Sequence, residues 1–119
     1  MRQDDVLLYG AIVDAARAGR RCALATVVDT RGSTPRKAGT KMVVDPERGL
    51  VGTVGGGCGE AEVIEAAHAA LADGRPRRLR IDLTKDPLSW SPAVCGGIMD
   101  VLVEPVEPIL PPIVPAAAP

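Results

Sequence analysis

Phenylalanine is absent from this 119-residue chain, and tryptophan and tyrosine occur once each. Binding of single-stranded nucleic acid relies on stacking bases over aromatic rings, so that class of function lacks its platforms here. A formal net charge of −1 also excludes the global positive field that draws proteins to nucleic acid or anionic membranes. Histidine occurs once, as His68, and the cysteines Cys22, Cys58 and Cys95 are far apart with no Cys-x-x-Cys pair. One imidazole and scattered thiols argue against a zinc site built within one chain. An odd, unpatterned set of cysteines reads as reduced thiols rather than a disulfide scaffold. No apolar run approaches the roughly 18 residues that cross a bilayer. Met1-Arg2-Gln3-Asp4-Asp5 lacks the basic start and apolar core of a signal peptide. The expectation is a cytoplasmic globular protein with no membrane and no nucleic-acid partner.

Much of what is present is small and aliphatic. The chain is 46% hydrophobic, and its length suits one domain with a real core. A first helix is predicted from a cap at Asp4 or Asp5 to about Ala18, with Leu8, Ile12, Ala15 and Ala16 on one face and Gly19 as its stop. Cys22 to Val28 reads as a buried strand. The segment from Asp29 to Gly39 has no period and many turn formers, so it is a loop. Lys41–Asp45 and Leu50–Val54 read as strands around a turn at Asp45-Pro46-Glu47-Arg48-Gly49. A second helix is predicted over about 61–72, with Ile64, Ala67 and Leu71 as its buried stripe and Gly74 and Pro76 beyond its end. Arg77 to Leu83 alternates as a half-exposed strand, the stretch from Asp86 to Pro92 with Trp90 is irregular, and Ile98 to Val103 is a last strand. From Pro105 onward six prolines occur up to Pro119, which predicts an extended or flexible tail over 107–119 after a folded unit at 1–106. The predicted class is α+β: a mixed sheet of about five strands covered by two helices, in the order α-β-β-β-α-β-β.

Three stretches could carry chemistry. In Gly52-Thr53-Val54-Gly55-Gly56-Gly57-Cys58-Gly59-Glu60, five of nine residues are glycine, between a strand and a helix. Bare backbone N–H groups and a helix N-terminus form a cradle for an anion, while a purely structural reading leaves the glycines as a tight turn. The pattern is neither Walker A nor G-x-G-x-x-G. Second, Arg31, Arg36, Lys37 and Lys41 fall in an eleven-residue run without an acidic side chain. Beside the glycine turn this loop would supply side chains to a phosphate, with Arg36 as the bidentate member and Ser33 and Thr34 as hydroxyl donors. A solvated loop is the plainer account, and the better one for Lys37 and Lys41 taken alone. Third, Cys58 stands where a helix begins, a position that favours the thiolate, and Cys95 precedes Gly96-Gly97. Cys22 reads as core packing, His68 as a surface residue, Trp90 as a shield at the core's edge, and Glu60 as a first-turn carboxylate facing the helix dipole.

Taken together these stretches resemble the XdhC/CoxI family. Gly32-Ser33-Thr34-Pro35-Arg36-Lys37-Ala38-Gly39-Thr40-Lys41-Met42 is similar to its GS-x-PR-x-x-G-x-x-M signature. Gly55-Gly56-Gly57-Cys58-Gly59-Glu60 is similar to its GGGC-x-E turn, and Cys95-Gly96-Gly97 followed by Val101 to Glu104-Pro105 to its closing CGG…EP segment. The three occur in the family's order over about residues 5 to 106. The resemblance implies an accessory protein that binds molybdenum cofactor, assists its sulfuration and inserts it into a molybdenum hydroxylase such as xanthine or carbon monoxide dehydrogenase. It also implies a site made of Ser33, Arg36, Gly55, Gly56, Gly57, Cys58, Glu60, Cys95, Gly96 and Gly97, with Cys58 reaching the cofactor's molybdenum. Two departures stand out: many members carry a further Rossmann-like domain, and residue 59 is glycine where a large apolar residue is common.

On this reading the protein is a cofactor-binding chaperone rather than a catalyst. Its partners would be the hydroxylase apoenzyme, a cysteine desulfurase or a separate Rossmann-type domain, and a second copy in a homodimer. A thiol-based sulfur carrier or enzyme using Cys58 is the alternative, weakened because only His68 is available as a base near that thiol. A non-catalytic assembly module, docking through the proline-rich end, is a third reading.

Overall fold

The computed structural model describes residues 3–54, 59–84 and 96–108. Seven elements follow in the anticipated order: helix α1 (Gln3–Arg17), strands β1 (Cys22–Arg31), β2 (Lys41–Asp45) and β3 (Gly49–Gly52), helix α2 (Glu60–Asp73), and strands β4 (Arg77–Asp82) and β5 (Ile98–Val106). The strands form one sheet in the order β3-β2-β1-β5-β4. The α+β architecture is as the sequence predicts, with all four pairings antiparallel rather than mixed. The reason lies in the α2 crossover. It joins β3 to β4, which point the same way but lie at opposite edges of the sheet, so no parallel pair forms.

Alternation along the strands divides the core into two. Ala23, Ala25 and Val27 of β1 share a face with Met42, Met99 and Val101, and α2 lies on that face. Cys22 and Val43 point to the other face, where α1 covers them with Leu8 and Ala15. The buried stripe of α2 is Val63, Ala66, Ala67 and Ala70; of the predicted Ile64, Ala67 and Leu71 only Ala67 belongs to it. Three alanines let the helix lie close to the sheet, and the longer Ile64 and Leu71 flank the contact, half-buried. Gly19 follows α1 with φ 73°, and Gly74 caps α2 at φ 72° with its N–H donated to the Ala70 carbonyl at 2.8 Å.

Two strands outrun their predicted ends. β1 continues to Arg31 because residues 29–31 pair with β5 beyond a bulge between Val27 and Asp29. β5 continues to Val106, which pairs with Cys22. Pro105 is tolerated because β4 stops at the Arg77–Val103 pair, leaving β5 one neighbour there, the situation in which a strand accepts proline. The irregular segment with Trp90 and the tail from residue 109 lie outside the described residues. Among those described, no helix is long and apolar enough to cross a membrane.

One buried charge holds the edge of the sheet. Asp45, 5% exposed at the end of β2, accepts hydrogen bonds from Arg20 Nη2 at 3.1 Å and from the backbone N–H groups of Glu47 and Arg48 at 2.9 and 3.2 Å. It thereby ties the β2–β3 turn to the segment joining α1 and β1. Burial pushes this carboxyl up, but the N–H of Glu47, the Arg20 guanidinium and the N–H of Arg48 together outweigh it and hold it below the ordinary carboxylate range. A depressed carboxylate stabilises the fold above its unfolded pKa of about 3.9 and loses that contribution as pH falls through the folded value. Asp45→Ala is therefore expected to cost about 2–3 kcal/mol in urea unfolding at pH 7, from charge-assisted bonds left unmade. The gap from the parent should narrow as pH drops below about 4, and a pH-independent difference would rule out the charge as its source.

Candidate functional site

The glycine-rich stretch is described at both ends. Gly52, the last residue of β3, has φ 82°, and a Cβ there would lie 2.8 Å from the Lys41 carbonyl oxygen and 3.2 Å from Leu8 Cδ2. Only glycine fits a left-handed turn pressed against a neighbouring backbone. Val54 then enters the core beneath α2. At the other end Gly59 caps α2 at φ 76°, and a Cβ would meet Ile81 Cγ2 of β4 at 2.7 Å. A larger side chain at residue 59 would collide with Ile81, so glycine here accompanies close packing of helix on strand. Across the stretch the Thr53 hydroxyl donates to Glu60 Oε1. Glu60, expected to face only the helix dipole or a ligand, thus also closes the base of the loop. Gly55, Gly56, Gly57 and Cys58 lie outside the described residues.

The basic loop between β1 and β2 is fixed at several points. The Gly39 N–H donates to the Val27 carbonyl at 2.7 Å, and the Val27 N–H donates to the Thr40 carbonyl at 2.9 Å. Thr34 Oγ1 donates to the Arg36 carbonyl at 2.9 Å, which shapes the turn around Pro35. At its start the loop lies on the beginning of β5. The Gly96 N–H donates to the Ser33 carbonyl at 3.3 Å, and the Gly97 carbonyl accepts from the Leu83 N–H at 2.9 Å. A Cβ on Gly97 would stand 2.4 Å from the Arg31 carbonyl oxygen, 2.6 Å from that of Ser33 and 2.7 Å from Thr34 Cγ2. Gly97, buried, is therefore a contact that lets the loop descend onto the sheet. Cys95 lies outside the described residues.

Between these contacts the loop opens onto a cleft of about 640 Å³, lined by Arg36 to Lys41 on one side, Val51, Gly52 and Thr53 on another, and Asp5, Leu7 and Leu8 of α1. Among the described residues, parts of the three stretches lie near one another. The loop's Gly32-Ser33 end meets Gly96-Gly97, its Arg36–Lys41 end faces the root of the glycine stretch, and Thr53 links that root to Glu60. Arg36 and Lys37 are exposed and, among the described residues, form no ion pair; Lys41 Nζ donates to the Gly39 carbonyl at 3.3 Å. Ser33 is exposed beside Gly96, away from the cleft lining. Cys22 is buried, and burial first, then the Asp45 charge, raises its thiol above the ordinary value, so it is an inert packing residue. His68 is exposed on α2, as expected.

Sequence reasoning missed four contributors. Asp5, Leu7 and Leu8 belong to a helix whose pattern signals only packing, and nothing in the chain announces that its first two turns border the loop. Thr53 stands inside the glycine stretch, where no local signal marks its bond to Glu60. The tightest contact gives the sharpest test. Gly97→Ala places a methyl group against two fixed carbonyls, and is expected to lower stability by about 2–3 kcal/mol in chemical denaturation, the usual cost of overpacking. Unchanged stability would show that the loop does not sit on β5 as closely as described.

Known proteins resemble this chain in both sequence and fold. The XdhC and CoxI family model matches residues 15–82. The chain is 38% identical over 81 residues to the Escherichia coli K12 protein YqeB, covering 68% of this chain and 15% of that one. It is 37% identical over 87 residues to the molybdenum cofactor insertion chaperone PaoD of the same organism, covering 71% and 26%. A crystal structure of a xanthine dehydrogenase from Bacillus halodurans superposes with a TM-score of 0.72 at 31% identity, over 87% of this chain and 30% of that one. The chain thus spans between 15% and 30% of the length of these relatives. With the matched segment running from α1 to β4 across the basic loop and the glycine stretch, the chain belongs to the XdhC and CoxI family.

Proposed function

We propose that this chain binds molybdenum cofactor and holds it during maturation of a molybdenum hydroxylase, assisting its sulfuration and its insertion into the apoenzyme. The observation that carries this reading is the position of the basic loop. One end lies on Gly96-Gly97, and the other faces the root of the glycine stretch across a cleft rimmed by Arg36, Lys37 and Lys41. Molybdopterin is a phosphate ester with a metal–dithiolene end. Guanidinium and ammonium groups in a cleft fit the phosphate. The glycine stretch Gly55-Gly56-Gly57 suits the phosphate too, and the Cys58 thiol, two residues before α2 in the chain, suits the sulfur-rich metal end, with Cys58 reaching the molybdenum. Ser33, Glu60, Cys95, Gly96 and Gly97 complete the site in this proposal, Glu60 by holding the loop's base and Gly97 by seating the basic loop.

Family membership and the PaoD relative support a maturation role linked to molybdenum cofactor, and the xanthine dehydrogenase structure supports a hydroxylase of that kind as the client. A carbon monoxide dehydrogenase is the other client class we propose. A cysteine desulfurase and a separate Rossmann-type domain are the proposed further partners, a homodimer the proposed assembly, and the cytoplasm the proposed location. His68 is solvent-facing and ten residues along from Cys58, so no observation favours a thiol enzyme as a second reading.

The chain co-expressed with an active molybdopterin pathway should purify with molybdenum and with the absorption of a bound pterin. Cys58→Ala and Arg36→Ala should each lower the molybdenum retained about tenfold, the loss of one charge-assisted or metal-directed contact. If both variants hold as much molybdenum as the parent, the assigned site is wrong.

A further inference from the structure

The cleft beside the basic loop is larger than a phosphate needs and is not lined by cations alone. Its volume of about 640 Å³ falls in the range of small-molecule sites. Three cations, Arg36, Lys37 and Lys41, share it with one carboxylate, Asp5, on a chain whose net charge is −1. Two of the loop's amides are already used: the Gly39 N–H donates to Val27 and the Thr40 N–H to Lys37, at 2.7 and 3.2 Å. The formal positive charge the cleft offers an anion comes from side chains. Lys41 Nζ rests on a neutral acceptor, the Gly39 carbonyl, which a phosphate oxygen replaces at a gain in charge complementarity. Leu7 of α1 is 60% exposed and half-buried Val51 of β3 also lines the cleft, so the lining has an apolar part, while Leu8 beneath them is core. Exposed leucine beside clustered cations suits a ligand with an apolar body and a charged end better than a free inorganic ion.

We infer that this cleft is a phosphate-ester subsite: Lys37 and Lys41, with Arg36, take the dianion, Leu7 and Val51 lie against the body of the ligand, and Asp5 accepts a hydrogen bond from an N–H or O–H on that body. The inference rests on the cofactor-binding reading for its biological ligand, but not for its chemistry. It gives Lys37 and Lys41, which look like plain solvated side chains in the sequence, a binding role. It also makes the start of α1 part of the site.

The test is an amide-resolved NMR titration of the full chain with inorganic phosphate and with phenyl phosphate. Saturable shifts are expected at Lys37, Ala38, Thr40, Lys41 and Thr53, with phenyl phosphate binding more tightly than inorganic phosphate. The double variant Lys37→Gln/Lys41→Gln, whose dispersed spectrum will report that it is folded, should bind phenyl phosphate at least about tenfold more weakly. Shifts elsewhere, equal affinity for the two probes, or unchanged affinity in the double variant would overturn the subsite. The outcome separates from the cofactor reading. A parent chain that retains molybdenum while the double variant keeps full phenyl phosphate affinity sinks the subsite alone. A parent that binds phenyl phosphate in the cleft and never retains molybdenum sinks the cofactor reading alone.

Discussion

The descent of the basic loop onto the start of β5 is the contact on which the site depends. The backbone of Arg31 to Thr34 passes so close to Gly97 that no side chain fits between them. That approach fixes where β1 gives up its pairing with β2, where the loop turns, and which way its cationic half faces. The bulge between Val27 and Asp29 makes the approach possible, because it lets β1 follow β5 after β2 has begun to diverge. Val27 is then free to exchange hydrogen bonds with Gly39 and Thr40, and the far end of the loop is held as firmly as the near one.

The sheet serves two helices in different ways. Under α2 the contact is close because Ala66, Ala67 and Ala70 present almost no side chain to it, and because Gly59 admits Ile81. Under α1 the core is smaller and supplemented by a polar anchor, Asp45 with Arg20. Such a buried pair costs desolvation and recovers it only with good geometry, which the additional N–H groups of Glu47 and Arg48 supply. The anchor steadies β2 and β3, the strands that lead into the loop and out to the glycine stretch. Gly97 and Gly59 serve packing and Glu60 holds Thr53, while Arg36 and Lys37 are exposed and Lys41 rests on the Gly39 carbonyl.

Much of this architecture could be read from the chain. The α+β order followed from periodicity and punctuation, since Gly19 and Gly74 stop helices and alternation in β4 separates Arg78 and Arg80 from Ile81. The basic loop and the glycine stretch stood out by composition alone. The stripe of α2 was misplaced by one step because the larger side chains, Ile64 and Leu71, drew the assignment, whereas the sheet selects the smallest residues for the closest contact. The lengths of β1 and β5 were underestimated for a related reason. Asp29, Glu104 and Pro105 are poor strand formers by propensity, and these ends extend because each finds a partner on the other strand.

The sequence by itself determined the kind of elements, their order, and the chemical types gathered into three short motifs, because helix and strand periods, turn glycines and charge are local properties. Only the tertiary structure decided that strands β3 and β4 lie at opposite edges, so that all pairings run antiparallel. It also decided that α1 contributes Asp5, Leu7 and Leu8 to the cleft and that Gly97 is a seat for the loop. These outcomes depend on which distant backbones approach one another, and close approach is set by the size of side chains on both partners at once. No window of one strand contains that information.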